Sequence, residues 1–351
     1  MTAPRGLPAL PSLEGLRLLA SLMVVALHYA GYLGREIPPL HLAVDLFFVV
    51  SGIVIAMVYD GRMQRFGDWA DFLRKRFARL YPLHLVTLLF YVAIGVLAAR
   101  GLFTPDNPAK YDPANLLPNL LMVHAWSPEG RISYNYVSWS ISAEVFVYLA
   151  FPLALWAARR GFGLGLAVVV TVLLAAIAAA ELGLGERLTA LNWRFGVARA
   201  VPGFLFGVWI WEWRDRLRSL PGLARAAPSG FAVAVAAFLA AGVLAPNPYL
   251  LLTITWAVVL LAFLADLEGA PTWAARPALA SRGPLTYSLY MLHPVVATVI
   301  VSFAFPRLFG RSDAALWASL LVAAALTWIA AIVSHRWFET PLRRWIGGRG
   351  R

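Results

Sequence analysis

The chain has 351 residues, of which 60% are hydrophobic and 14% are charged, and its formal net charge is +12. A soluble domain is nearer half apolar and a quarter charged, so this composition indicates a polytopic membrane protein. The chain contains no cysteine, which excludes disulfides, a cysteine nucleophile and cysteine metal ligands.

Apolar runs long enough to cross a bilayer as helices recur along the whole chain. The sequence therefore predicts an all-α integral membrane protein, a bundle of about ten transmembrane helices forming one domain over 1–351. The first apolar run is predicted to be a retained helix, because no small-residue cleavage site follows it. The predicted spans are 16–33, 41–59, 80–99, 138–157, 163–182, 196–213, 230–246, 249–267, 285–305 and 314–335.

The placement of positive charge predicts the orientation of the bundle. With a cytoplasmic N-terminus, the inner segments hold 20 of the 30 Lys and Arg residues, including Arg5, Arg349 and Arg351. The outer loops hold eight, and Arg17 and Arg199 lie near or within spans. Because positive residues concentrate in cytoplasmic loops, both termini are predicted to be cytoplasmic. Topology thus accounts for most of the +12, and nucleic-acid binding has no further support.

The first predicted helix carries two ionisable side chains on one face. Arg17 and His28 in LEGLRLLASLMVVALHY are eleven residues apart, so they point the same way, about 16 Å apart along the axis. Ionisable groups within spans tend to face the bundle interior, where they pair or act. Taken alone, Arg17 also fits a side chain that snorkels to the headgroups, and His28 fits a hydrogen bond between helices.

Two carboxylates are predicted to lie near His28 in depth. Asp45 and Glu144 follow the outer ends of the second and fourth predicted spans, about 6 Å and about 9 Å below the outer surface. We expect His28, Asp45 and Glu144 to share the outer half of one cavity. The alternative for Asp45 is an interfacial cap of the second helix.

The segment FLRKRFARLYP begins the third predicted helix with a basic cluster. Its members Lys75, Arg76 and Arg79 have the spacing that gathers cations on one side of a helix. One interpretation is an anion site in which guanidinium groups grip phosphates. The other is an ordinary positive flank on the cytoplasmic side.

The longest non-spanning segment, 100–137, is predicted to face outward. Its prolines argue against a further spanning helix. At its end, four aromatic residues suit either stacking on a carbohydrate or the aromatic belt at the membrane surface; they are Trp126, Tyr134, Tyr136 and Trp139.

These motifs, in this order, resemble the membrane acyltransferase-3 family of integral O-acyltransferases, which act on bacterial surface polysaccharides, Nod factors and some macrolides. The resemblance runs from residue 13 to about 345. It departs from the family pattern at Lys75, where Arg is usual, and at Val145, which replaces a second acid. The other matching segments are AVDLFFVVSGIVI, RKRFARLYPLHL, VSWSISAEVFVYLAFPL, LTYSLYMLHPVV and HRWFETPLRRW.

The resemblance implies that the protein transfers an acyl group from cytoplasmic acyl-CoA to a hydroxyl of a carbohydrate or lipid-linked glycan. The acyl group is expected to be acetyl, and the location is expected to be the bacterial inner membrane. The resemblance implies no metal. The expected catalytic residues are His28, as general base or transient acyl carrier, with Asp45 as its preferred partner and Glu144 orienting the sugar. The expected donor-binding residues are Arg17, Lys75, Arg76 and Arg79. Those expected to bind substrate or support the site are Trp139, Ser142, Tyr290 and His293.

Two other classes of function stay open on the sequence. Intramembrane His, Asp and Arg also form proton relays and substrate paths, as in a proton-coupled secondary transporter or a glycolipid flippase. An exporter or scaffold subunit for polysaccharide synthesis is the other alternative. The sequence does not identify the acceptor or the acyl group. It does not decide between direct transfer and an acyl-histidine intermediate, nor does it give the oligomeric state, although a homo-oligomer is possible.

Overall fold

A computed structural model describes residues 7–348, so Arg5, Arg349 and Arg351 lie outside the described residues. Every regular element within this range is helical. Segments of π-helix, Ala179–Leu184, Thr298–Ala304 and Ser334–Glu339, extend α7, α13 and α15. The α-helices are α1 Pro11–Tyr32, α2 Ala43–Tyr59, α3 Phe66–Ala99, α4 Leu116–Leu120, α5 Trp139–Leu149, α6 Phe151–Ala158, α7 Phe162–Ala178, α8 Gly196–Glu212, α9 Arg214–Arg218, α10 Leu223–Leu244, α11 Pro248–Leu267, α12 Pro277–Ala280, α13 Thr286–Ala297, α14 Phe305–Phe309, α15 Asp313–Val333 and α16 Thr340–Gly347.

The predicted all-α membrane fold is confirmed. Within residues 7–348, eight helical segments are long and apolar enough to cross a membrane, and a bent helix pair raises the number to nine. They are Pro11–Tyr32, Pro38–Tyr59, Phe66–Ala99, Phe162–Leu184, Leu223–Leu244, Pro248–Leu267, Pro277–Phe309 and Asp313–Gly347. The remaining predicted span, 196–213, coincides with α8, which has 17 residues.

The fourth predicted span is bent by 62° between α5 and α6. Pro152 occupies the first turn of α6. Proline has no backbone N–H and its ring clashes with the preceding turn, so a helix bends or ends there. On the α5 side of the bend, Glu144 lines an interior cavity.

The centre of the bundle is the contact between α2 and α8. Both helices are buried along most of their length. A Cβ added at Gly52 would lie 2.2 Å from the Phe204 carbonyl oxygen, and one at Gly207 would lie 2.1 Å from the Val49 carbonyl oxygen. Small residues let membrane helices approach backbone to backbone, so these glycines set how closely α2 and α8 pack.

The non-spanning segment between α3 and α5 folds back onto the bundle. Its short helical turns are Pro108–Tyr111, Pro113–Asn115 and α4. His84 Nε2 on α3 lies 2.8 Å from the Asn119 carbonyl oxygen, and the Asn119 side chain donates to Ser133 Oγ at 2.8 Å. These bonds fix the segment over the same end of the bundle as Tyr32, the last residue of α1.

Replacement of Gly52 by alanine is expected to destabilise the fold, because the new methyl group has no room against the α8 backbone. Overpacking of this kind costs about 1–3 kcal/mol, so the midpoint of thermal unfolding in detergent should fall clearly. Gly163→Ala in α7 is the matched control, since a Cβ there would meet no atom within 4 Å. Equal midpoints for the two variants would contradict the close approach of α2 and α8.

Candidate active site

Five helices, α1, α2, α3, α5 and α13, enclose a cavity of about 90 Å³. We call it the arginine cavity, because three arginines line it. Its polar lining consists of Arg17, Ser51, Arg76, Arg79, Ser140, Glu144, Tyr148, Thr286, Tyr287 and Tyr290. Apolar residues of α2, such as Phe47 and Val54, form much of the remaining wall.

The arginines give this cavity a positive charge. Arg17 Nη1 pairs with Glu14 on its own helix at 3.1 Å. Arg76 is 8% exposed, and its guanidinium lies 5.7 Å from the ring centre of Tyr59 and 5.8 Å from that of Phe72. Within residues 7–348, no carboxylate is within ion-pair distance of Arg76, and its buried Nε has no hydrogen-bond partner. A buried cation without a counter-ion is suited to an incoming anion.

Lys75 is not part of this cavity, contrary to its predicted grouping with Arg76 and Arg79. Its ammonium pairs with Asp71 at 2.6 Å, and the lysine side chain is 43% exposed. Asp71 lies four residues earlier on the same helix, a spacing that favours such a pair. The basic cluster therefore divides into an exposed Lys75 and two arginines that line the cavity.

Glu144 also lines the arginine cavity, on the wall formed by α5. Its carboxylate accepts hydrogen bonds from Ser51 Oγ at 2.9 Å and from the Tyr148 hydroxyl. The expected cavity shared by His28, Asp45 and Glu144 does not form, because Glu144 lines the arginine cavity whereas His28 and Asp45 do not. Neither carboxylate is hydrogen-bonded to His28 in the described part of the chain. Matching depth in the bilayer does not fix the direction in which a side chain points.

Asp45 is paired with Arg199 instead of with His28. The Arg199 guanidinium donates to both carboxylate oxygens, at 2.6 and 3.0 Å, and the side chains are 1% and 3% exposed. Arg199 also donates to the His41 carbonyl oxygen at 2.7 Å and to Asn192 Oδ1 at 3.0 Å. The Asp45–Arg199 ion pair therefore holds the start of α2 against α8. The sequence signal for it was an Arg and an Asp within spans at similar depth.

His28 lies instead against His293 of α13. Their rings are stacked with centres 5.0 Å apart, and His293 Nε2 lies 3.0 Å from His28 Nδ1. His28 Nδ1 is also 2.9 Å from the Val24 carbonyl oxygen, and His293 Nδ1 is 3.1 Å from the Leu289 carbonyl oxygen. Both histidines were predicted from the sequence, His28 as a catalytic residue and His293 as a residue that binds substrate or supports the site.

These contacts assign the tautomers of the neutral rings. A carbonyl oxygen can only accept, so His293 Nδ1 carries the hydrogen and His293 Nε2 is an acceptor. His28 Nδ1 then faces two acceptors, the Val24 carbonyl and His293 Nε2, and must carry the hydrogen itself. The lone pair of His28 is therefore on Nε2. A histidine held in this tautomer can accept a proton at Nε2.

Tyr290 connects the histidine pair to the arginine cavity. Its ring lines the cavity and its centre is 6.2 Å from that of His293. The Tyr290 hydroxyl donates to the Val137 carbonyl oxygen at 2.9 Å and accepts from Ser140 Oγ at 2.7 Å. The histidine pair thus lies directly beyond the wall that Tyr290 forms.

Trp139 and Ser142 lie outside the arginine cavity and hold neighbouring structure in place. The Trp139 ring packs against the Arg199 guanidinium, whose Cζ lies 5.3 Å from the centre of the ring. Ser142 Oγ accepts from the Ala125 backbone N–H at 3.1 Å. Both residues therefore join α5 to elements packed around it. Across residues 7–348, no three His, Asp or Glu side chains are grouped to hold a metal ion.

Comparison with known proteins identifies the class. The acyltransferase domain of the acyltransferase-3 family matches residues 10–335. The match extends over more than half of the chain and therefore shows the family to which this helical bundle belongs. The chain belongs to the acyltransferase-3 family, as the resemblance predicted.

Two sequence relatives are similar to parts of the chain. Acyltransferase MdmB of Streptomyces mycarofaciens is 39% identical over 157 residues, which cover 41% of this chain and 38% of MdmB. Protein 2 in the picA locus of Rhizobium radiobacter is 35% identical over 184 residues, 48% of this chain and 94% of that protein. No solved structure shows significant similarity.

Asp45→Asn is expected to destabilise the protein strongly, because it leaves the buried Arg199 charge without its partner. Breaking a buried ion pair costs about 3–5 kcal/mol. Glu186→Gln is the control, since it removes one ion pair to Arg194 whose side chains are each 38% exposed, and such pairs contribute less than about 1 kcal/mol. Thermal unfolding of both variants in nanodiscs measures the difference. An Asp45→Asn protein that is stable but inactive would contradict this structural role and indicate that Asp45 is a catalytic residue.

Proposed function

We propose that this chain is an integral membrane O-acyltransferase. In this proposal it moves an acyl group, acetyl first among the candidates, from acyl-CoA to a hydroxyl of a carbohydrate or lipid-linked glycan. The observation that carries the proposal is the positively charged arginine cavity, which lies one residue, Tyr290, away from the His28–His293 pair. Membership of an acyltransferase family favours this enzyme over a transporter or flippase.

The acyl donor is assigned to the arginine cavity because the positive charge of the cavity complements the negative charge of acyl-CoA. Acyl-CoA carries phosphates on its nucleotide end and a thioester at the end of a flexible arm. Arg76 and Arg79 lie on adjacent turns of α3, and guanidinium groups bind phosphates through paired hydrogen bonds. A cavity of about 90 Å³ suits the acyl end of this molecule, with the nucleotide at the cavity mouth. Arg17 lies along the same path.

His28 is assigned the proton transfer. As the acceptor hydroxyl oxygen attacks the thioester carbonyl carbon, His28 Nε2 takes the hydroxyl proton. The carbon–sulfur bond then breaks, and the proton passes from His28 to the departing CoA sulfur. The Val24 carbonyl and His293 Nε2 stabilise the imidazolium formed between these steps by accepting from Nδ1.

A covalent route uses the same atoms. His28 Nε2 attacks the thioester carbonyl carbon, the carbon–sulfur bond breaks, and CoA leaves as a thiolate. The acceptor hydroxyl oxygen then attacks the acyl carbon, the carbon–nitrogen bond breaks to restore neutral His28, and the hydroxyl proton passes to the CoA thiolate. Glu144, held by Ser51 and Tyr148 on the cavity wall, is proposed to orient substrate in both routes. Neither route uses a metal.

The orientation follows from the donor. Because acyl-CoA is cytoplasmic, the arginine end of the bundle is proposed to face the cytoplasm, in agreement with the distribution of Lys and Arg. Both termini are then cytoplasmic, the membrane is the bacterial inner membrane, and residues 1–351 act as one domain. The acceptor approaches from the end that carries Tyr32.

His28→Ala is expected to lower acyl transfer by about 10²- to 10⁴-fold, because the general base is removed. The readout is CoA release by protein in nanodiscs supplied with radiolabelled acetyl-CoA and glycan acceptors. His335→Ala is the matched control: His335 lies in the last π-helical segment, outside the cavity lining, and the variant should keep near-normal turnover. A folded His28→Ala protein with near-normal turnover would end the assignment of His28.

Arg76→Gln is expected to raise the KM for acetyl-CoA about tenfold or more while kcat changes little, since it removes binding energy common to ground and transition states. The neighbouring variant Lys75→Gln should leave KM within about twofold, because Lys75 points to solvent and pairs with Asp71. Steady-state kinetics on the two variants make the comparison. An equal rise in KM for both would mean that the cluster acts only through general surface charge.

A further inference from the structure

A second, larger cavity opens at the opposite end of α1, where Tyr32 lies. Its volume is about 540 Å³, within the range of small-molecule binding sites. We call it the tyrosine cavity, after Tyr32, Tyr111 and Tyr136 in its lining. The non-spanning segment supplies one wall, from Phe103 to Tyr111, and residues 298–319 supply the other.

Lys110 projects its ammonium into this lining among aromatic rings. Its Nζ lies 4.2 Å from the ring centre of Tyr91, 5.1 Å from that of Tyr136 and 5.7 Å from that of Tyr111. Throughout the described range, no carboxylate lies within ion-pair distance of Lys110. Tyrosine faces hold the ammonium in place without neutralising it.

The whole tyrosine cavity carries an excess of positive charge. Arg307 and Arg311 also line it, against one acidic side chain, Asp106. Three of the eight Lys and Arg residues of the predicted outer loops therefore meet at one cavity. Outer loops are normally poor in positive residues, so topology does not explain this concentration. Burial, meanwhile, lowers the pKa of Lys110 to about 8.

Tyr136 joins the tyrosine cavity to the histidine pair. Its ring lines the cavity and meets the His28 ring edge-on, with centres 5.1 Å apart. The histidine pair is therefore bordered by Tyr290 and the arginine cavity on one side and by Tyr136 and the tyrosine cavity on the other. Tyr136 is therefore the residue that lies between a molecule in the tyrosine cavity and His28.

We propose that the tyrosine cavity is the acceptor site and that it selects a carbohydrate bearing an anionic group, a carboxylate or a phosphate, which Lys110 binds. This inference rests on the proposed acyl transfer and adds the chemical class of the acceptor. The aromatic lining suits the sugar rings. Lys110 suits the anion, because an ammonium already taken out of water and lacking a counter-ion gains most from a new negative partner.

The charge of Lys110 gives the site a pH dependence. A lysine with a pKa of about 8 is protonated below that pH and neutral above it, so the preference for an anion should be present at pH 7 and weakened at pH 9. The other groups that face Lys110 are Tyr32, Tyr91, Tyr111, Tyr136, Asp106, Arg307 and Arg311. Tyrosine, aspartate and arginine ordinarily titrate outside this window, and burial raises the pKa of Tyr111 further from it.

The test is a binding measurement made without acyl-CoA. Wild-type protein in phosphatidylcholine nanodiscs is titrated with p-nitrophenyl β-glucuronide and with its uncharged counterpart, p-nitrophenyl β-glucoside. At pH 7 the glucuronide should bind about tenfold more tightly, the value of a charge-assisted hydrogen bond. At pH 9 most of that preference should be lost.

Two substitutions of Lys110 separate charge from fold. Lys110→Met should abolish the preference at both pH values, whereas Lys110→Arg should keep it at both, because arginine stays protonated. Lys75→Met is the control lysine at the other end of the bundle and should behave as wild type. Thermal unfolding confirms that each variant is folded.

Several results would overturn the proposal: no glucuronide binding, equal affinity for the two glycosides, or a preference that survives Lys110→Met. Nanodiscs containing phosphatidylglycerol provide a further arm. If that lipid abolishes glucuronide binding, the cavity takes a lipid headgroup and the proposal fails; unchanged binding supports it. Because the binding assay contains no donor, its result does not depend on acyl transfer. Glucuronide binding here, together with no CoA release in the separate acetyl-CoA assay, would contradict the acyl-CoA proposal and leave the anion-selective carbohydrate site standing.

Discussion

The structure depends on the free-energy cost of placing ionisable groups inside a bilayer. An intramembrane charge persists only when it is paired, hydrogen-bonded or turned into a polar cavity. Asp45 and Arg199 satisfy each other in full and hold α2 against α8. Arg76 is left without a carboxylate in the described structure, yet it is buried and faces a cavity. That difference separates the charges that maintain the fold from those available to a substrate.

The same constraint explains the histidine pair. A neutral imidazole is cheaper to bury than an aspartate, and His293 can still accept the Nδ1 hydrogen of His28. The carbonyl oxygen of Leu289 fixes the tautomer of His293 by accepting a hydrogen bond from its Nδ1. Backbone carbonyls and a second ring thereby hold His28 in the tautomer that the proposed general base requires. Its place between the two cavities matches a reaction whose substrates arrive from opposite ends of the bundle.

Much of the fold follows from the sequence, because runs of apolar residues specify membrane helices directly. Each of the ten predicted spans coincides with a helix or a bent helix pair. The bend at Pro152 and the burial of the short α8 depend on packing, which hydrophobicity along the chain does not report. The family followed from ordered motifs, and the domain match confirms it.

The site was harder to predict, because depth along a helix does not specify direction around it. Arg17, Arg76 and Arg79 do line one cavity, since the spacing of cations on single helices limits where they point. The partnership of His28 with Asp45 was wrong: four helices, α1, α2, α8 and α13, had to be placed before Arg199 and His293 could be seen as the true partners. Lys75 was misplaced for a different reason, because it pairs at the surface with Asp71, four residues earlier on its own helix.

The central claim is that acyl-CoA enters the arginine cavity and presents its carbonyl to His28. The most direct test is a cryo-electron microscopy structure with acetonyl-CoA, a thioether analogue that cannot transfer its acyl group. We expect the phosphates to lie against Arg76 and Arg79 and the analogue's carbonyl carbon to lie beside the His28 ring, with room for an acceptor oxygen at about 3–3.5 Å. An analogue bound elsewhere, or one whose carbonyl lies away from His28 with the phosphates correctly placed, would contradict it.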